Sequence, residues 1–140
     1  ARARRSAQRP GVSSGAGLRA AVMRVIEPGT QLKLDIVPQA KHTATAVGNH
    51  GIEVVATTAL ILFIEEACGT LAAPYYEQGE ATVGVRVEVD HVAPAWVGTL
   101  IDVRAEFTGT RGRRLLFRNE IYQNDVLVMK GFHLKKLKDI

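Results

Sequence analysis

Sulfur and aromatic rings are scarce in this 140-residue chain, and each scarcity closes off a class of protein. One cysteine, Cys68, rules out an intrachain disulfide and makes a reducing, cytoplasmic compartment the default expectation. The four histidines have neither His-x-x-x-His nor Cys-x-x-Cys spacing, so no metal site is expected. Aromatics make up 6% of the residues, and Phe117 alone stands close to the arginines at 111, 113 and 114, which argues against a stacking surface for nucleic acid. The longest uninterrupted apolar run, Ala59 to Ile64, stops at two glutamates, so no membrane partner is expected. Acidic residues are missing altogether from the first 24 positions, which hold six arginines. The net charge of +4 therefore describes a basic tail, and the remainder carries a small negative excess.

What is present reads as one domain. Ala1 to Gly17 is rich in Arg, Ser, Gly and Ala without hydrophobic period, a basic flexible tail, and residues 18–140 form the folded domain. The tail has the composition of an organelle transit segment or of a plain solvated extension. Leu32, Leu34 and Ile36 alternate with Lys33 and Asp35 as in a half-buried strand over Gln31 to Val37, ended by Pro38. Leu60, Ile61, Ile64, Cys68 and Leu71 recur at helical spacing within Val54 to Ala73, and Pro74 closes that helix. Strands then follow at Thr82–Val92, Leu100–Thr108, Leu115–Gln123 and Val126–Leu137. Hairpin turns are expected at Arg111-Gly112 and Asn124-Asp125, and a bulge at Gly131. In the first of these strands Val83, Val85, Val87 and Val89 share a face with His91. The order predicts an α+β hot-dog fold, one long central helix wrapped by a curved antiparallel sheet of about five strands. Such a sheet leaves edges for a second copy, so a homodimer is expected, with a tetramer open.

Candidate chemistry lies where polar groups interrupt apolar patterns. Glu65 and Glu66 break the helix run, and adjacent helical residues diverge by about 100°, so only one can lie beside the buried stripe. His91 ends the valine row, and a carboxylate on the facing helix is its natural partner. Cys68, on an apolar helix face with no basic neighbour in the local pattern, reads as a small hydrophobe. Arg111, Arg113 and Arg114, and Lys135, Lys136 and Lys138, read either as a phosphate-binding patch or as solvated hairpin and strand ends. His42, His50 and His133 lack evident partners, Trp96 reads as a loop or interface anchor, and Tyr75 and Tyr76 close the helix.

The segment Val54-Val55-Ala56-Thr57-Thr58 through Glu65-Glu66-Ala67-Cys68, then Ala73-Pro74-Tyr75, Gln78-Gly79-Glu80, Val83-Gly84, Val89-Asp90-His91, Pro94, Gly98 and Gly112-Arg113-Arg114-Leu115, resembles the fluoroacetyl-CoA thioesterase family of hot-dog enzymes. The resemblance implies hydrolysis of a small acyl-CoA by Thr57, Glu65 and His91, with Gly84 at the acyl site and Lys135 where the family has an arginine. Coenzyme A would enter as part of the substrate, with no separate cofactor. Gly48, Asn49 and Gly51 stand where the family's phenylalanines close over the acyl group, so general acyl-CoA hydrolysis is the expectation rather than selectivity for a fluorinated substrate. Two alternatives remain open, a hot-dog hydratase or dehydratase and a non-catalytic acyl-CoA sensor. Eight helical residues rise about 12 Å. Thr57 and Glu65 therefore meet only if Thr57 precedes the helix and folds back, or if a second subunit completes the site.

Overall fold

The structure, a computed structural model, describes residues 23–51 and 53–140; the tail and its boundary at residue 18 lie outside them. Strand β1 (Gln31–Ile36) is followed by helix α1 (Thr57–Ala72) and then by β2 (Glu80–His91), β3 (Ile101–Arg111), β4 (Arg114–Gln123) and β5 (Val126–Asp139). All pairings are antiparallel and the sheet order is β1-β3-β4-β5-β2, so β1 and β2 are its edges. The α+β architecture matches the expectation, with one helix lying across a five-stranded sheet.

Helix α1 begins three residues later than the apolar pattern predicts. Val54 and Val55 are taken instead by single bridges to Trp96 and Thr43, and Ala56 is the extended residue that starts the helix. Pro74 sits in the short 3-10 turn that ends it. Leu60, Phe63, Ile64, Ala67, Cys68 and Leu71 are buried, whereas Thr58, Leu62, Glu66 and Thr70 face outward. The segment Thr57–Tyr75 has the length and apolar composition of a membrane span. Individual apolar runs understate this, because Glu65 and Glu66 divide a helix whose apolar side chains are used in packing on the sheet.

Beneath the helix, Ile101, Val103, Ala105 and Phe107 of β3 and Leu115, Phe117 and Ile121 of β4 are all buried, as alternation demands. Phe107 and Phe117 meet edge-on at 5.7 Å between ring centres. Asn124 and Asp125, at φ 52° and 65°, form the tight β4–β5 turn. The β3–β4 turn falls on Gly112-Arg113, one residue later than expected, with Arg111 still paired to Arg114.

Strand β2 departs from its pattern. Val83, Val85 and Val87 are 45%, 42% and 38% exposed rather than buried. One reason is position, because β2 is an edge lying beyond β5. The other is a bulge at Val85, since Gly84 pairs with Lys135 and Arg86 with Leu134. A bulge exchanges the faces of everything on one side of it. Gly84 thereby joins His91, Val89 and Val87 on the helix side. No bulge occurs at Gly131, which pairs in regular register with Val89 and Asn119. The extra residue on β5 is Val128, where Val128 and Met129 are buried in succession. Gly131 is a glycine for another reason: a Cβ there would collide with the Glu88 carbonyl oxygen and stand 2.7 Å from Val89 Cα.

Candidate active site

Thr57, Ile61 and Glu65 follow one another at four-residue intervals, which sets them on a single line along α1 facing β2 and β5. Glu66 is turned away with the outward stripe. The half-buried Glu65 carboxylate meets two side chains rising from β5. Lys135 Nζ donates to Oε2 at 2.5 Å, and His133 Nε2 donates to Oε1. Both β5 side chains are almost wholly buried, at 3% and 1% side-chain exposure. Directly alongside lies Gly84, where a Cβ would stand 2.9 Å from Glu65 Oε1 and 3.3 Å from His133 Nε2. The bulge at Val85 and the missing side chain at 84 together make room for the carboxylate.

The electrostatics follow from this packing. Burial works to raise the Glu65 carboxyl, but the Lys135 hydrogen bond and charge, joined by His133, outweigh it and hold Glu65 below the ordinary carboxylate range. Burial pushes His133 down against the pull of Glu65, with the Lys135 charge adding to the push, and this favours the neutral imidazole. A neutral ring that donates from Nε2 leaves Nδ1 as an acceptor. Burial pushes the Cys68 thiol up to about 12, with Lys135 opposing and Glu65 adding to the shift, so it is an inert core residue as expected.

At the other end of the line, Thr57 Oγ1 and His91 Nδ1 are hydrogen-bonded at 2.8 Å. His91 Nε2 is shielded from solvent and has no hydrogen-bond partner among the described residues. Strand parity placed His91 on the correct face, but its partner in this chain is Thr57 and not Glu65. Thr57 is the first residue of α1, so it does not fold back, and two turns of helix separate the pairs by about 12 Å. The chain thus carries two clusters, Thr57 with His91 and Glu65 with Gly84, His133 and Lys135. Arg113 and Arg114 belong to neither. Arg114 pairs in register with Lys136 near the Gly84 end of the sheet, and Arg113 faces Asp139 at 3.6 Å.

His133 corrects the expectation that it lacks a partner. The signal was available in the sequence, because His133 stands two residues before Lys135 and must share its face. A concavity of about 700 Å³ lies elsewhere, on the outer sheet face, lined by Lys33, Arg104, Glu106, Arg118 and Glu120. Its charges are largely paired, Arg118 with Glu106 at 3.3 Å and Arg104 with nearby Asp102 at 2.7 Å, which marks a solvated surface.

Comparisons with known proteins bear on the family and the fold. The family model for fluoroacetyl-CoA-specific thioesterases matches residues 38–137, a stretch that contains every residue of both clusters. The chain belongs to this family. Fluoroacetyl-CoA thioesterase from Streptantibioticus cattleyicolor is 35% identical over 81 residues, and the chain spans 58% of the length of that curated relative. A variant of the fluoroacetyl-CoA-specific thioesterase, crystallised with fluoroacetate and CoA, superposes with a TM-score of 0.78 at 26% identity, covering 82% of this chain and 97% of that one. A thioesterase-superfamily member from Thermus thermophilus gives the same TM-score at 28% identity, covering 84% and 87%. The fold is therefore that of the hot-dog thioesterases, and the family is one of acyl-CoA thioesterases.

Proposed function

We propose that this chain hydrolyses a small acyl-CoA to free acid and CoA, with Glu65 as the group that acts on the thioester. The observation that carries this reading is the state of Glu65, an ionised carboxylate gripped from behind by Lys135 and His133 and still partly open to solvent. A carboxylate so held can attack the thioester carbonyl carbon, forming an acyl anhydride as the C–S bond breaks and the thiolate leaves to be protonated by water, and hydrolysis of the anhydride returns that proton. Water then cleaves the anhydride and restores Glu65. Alternatively, the same carboxylate takes a proton from a water that attacks the carbonyl directly. Both routes give one acid and one thiol. With the Thr57 hydroxyl donating to His91 Nδ1, His91 keeps its proton on Nε2 and can donate it to the developing charge or to the leaving thiolate. Arg113, Arg114 and Lys136 lie at the Gly84 end of the sheet, where the phosphates of coenzyme A would meet them.

Two features support a homodimer in which the clusters of different copies meet. The edge strand β2 has free backbone groups beside half-exposed valines, and the two clusters of one chain are too far apart to act on one carbonyl. A monomeric mass in light scattering at micromolar concentration would remove the shared site. The decisive experiment is thiol release across short, branched and aromatic acyl-CoAs. Glu65→Gln keeps the shape and should lose at least about 10²-fold in turnover. Equal rates in that variant and the wild type would sink the reading, and a folded protein that releases no thiol from any acyl-CoA would point to the hydratase or sensor alternatives.

A further inference from the structure

On the central strands β4 and β5, two buried polar side chains have atoms without a hydrogen-bond partner among the described residues. These are Nδ1 of His133 and both amide atoms of Asn119. Asn119 is 1% exposed, in the β4 row where Phe117 and Ile121 pack under α1. An amide stranded in such a place is destabilising, so its retention calls for a partner. The register identifies the neighbour. Asn119 pairs with Gly131 and Phe117 with His133, so Asn119 and His133 are diagonal neighbours on one face. Diagonal residues of an antiparallel pair stand about 7–8 Å apart, a span that two short polar side chains and one water fill. Gly131 contributes no side chain between them, its own Cβ direction being taken by the Glu88 carbonyl of β2. A buried water there has enough polar partners, since it can donate to Nδ1 and exchange hydrogen bonds with both ends of the amide.

We propose that Asn119, through one buried water, is the partner of His133 Nδ1, and that it is a positioning residue which holds His133 as the Nε2–H tautomer donating to Glu65. The water donates one hydrogen to Nδ1, which keeps the ring proton on Nε2. Without the amide, only the Glu65 carboxylate holds the ring proton on Nε2, and any ring that carries it on Nδ1 instead loses its bond to Glu65. The proposal rests on Glu65 as the working group. Other titratable neighbours are few. Lys135 on β5 and Cys68 on α1 face the cluster, while the register neighbours Gly84 and Val87 on β2 and Leu115 and Phe117 on β4 carry no charge.

The test is imidazole nitrogen NMR of His133 in the full chain, read beside thiol-release kinetics. Wild type should show a neutral Nε2–H ring. Asn119→Val should give mixed tautomers, a kcat lower by about tenfold at unchanged KM, and an acid limb of the rate profile moved upward. Asn119→Ser keeps a donor and acceptor in a smaller volume and should recover part of the loss. An Nδ1–H ring in wild type would overturn the proposal. So would Asn119→Val with unaltered tautomer and rate, even if its melting temperature changed, because the amide would then be structural only. An Nε2–H ring in a protein that releases no thiol refutes the hydrolase and leaves the positioning pair standing, whereas hydrolysis with an Nδ1–H ring does the reverse.

Discussion

Strands β3 and β2 are written in the same alternating script and meet opposite fates. The inward residues of β3 disappear under α1, whereas three of the valines of β2 remain more than a third exposed. The difference is place and register rather than composition. Strand β3 is interior to the sheet, while β2 is an edge whose face is shifted by a bulge. The packed side of the molecule supplies stability, and the open side holds Glu65, Gly84 and His91, the groups to which the proposed chemistry is assigned.

The sharpest way to break this contrast is to remove one side chain from each region. Phe117→Ala should cost about 3–5 kcal/mol in denaturant unfolding, and Val87→Ala should change stability by no more than about 0.5 kcal/mol if its face meets water. A core-like cost at Val87 would show instead that a second copy covers β2. Gly84→Ala comes next. The new methyl group enters the space of the carboxylate and its His133 donor, and a displacement near 1 Å there should lower turnover by about 10²-fold with little change in melting temperature. Unchanged turnover would mean that Glu65 can shift without consequence.

A smaller effect is expected from acid. Both shifted groups have folded values depressed below their unfolded ones, Glu65 by Lys135 and His133 against burial, and His133 by burial. Their contributions are complete above the unfolded values and are lost as pH falls, first as His133 is forced to charge below about pH 6.5 and then as Glu65 is protonated below about pH 4. Melting temperature should therefore decline on acidification, and in Glu65→Gln the part of that decline below about pH 4 should disappear. Stability that rises toward acid would contradict the assignment. Smallest of all, Glu66→Gln should leave thiol release within a factor of about two, since a surface substitution touches neither cluster.

Much of the architecture was legible because period 3.6 and period 2 are properties of the chain itself. The helix phase that sets Glu65 and Glu66 on different sides of α1, and the buried rows of β3 and β4, needed nothing more. Position in the sheet was not legible, because alternation is blind to whether a strand is central or at an edge. Nor was the bulge at Val85, which conceals Gly84's true face behind an unbroken run of alternating valines. Gly131 was noticed as a break but assigned the wrong cause, since the approach of β2 is a long-range contact. In the site, His91 was placed by parity, yet its partner depended on how far along α1 it lies. His133 was passed over because it was judged alone rather than with Lys135, two residues on.

The crowding at Gly131 makes that position a single-letter word. Any other amino acid must prise the Glu88–Val89 backbone away from β5, and β2 is the strand that delivers both Gly84 and His91. A saturation library at position 131 would therefore return one viable codon family, in contrast to Gly29, Gly98 and Gly112, where no neighbouring atom lies within 4 Å and only backbone conformation favours glycine. A mutational scan that ignored pairing would score 131 as an unremarkable strand interior, although a methyl group at that point would separate the sheet from the strand that carries one member of each cluster.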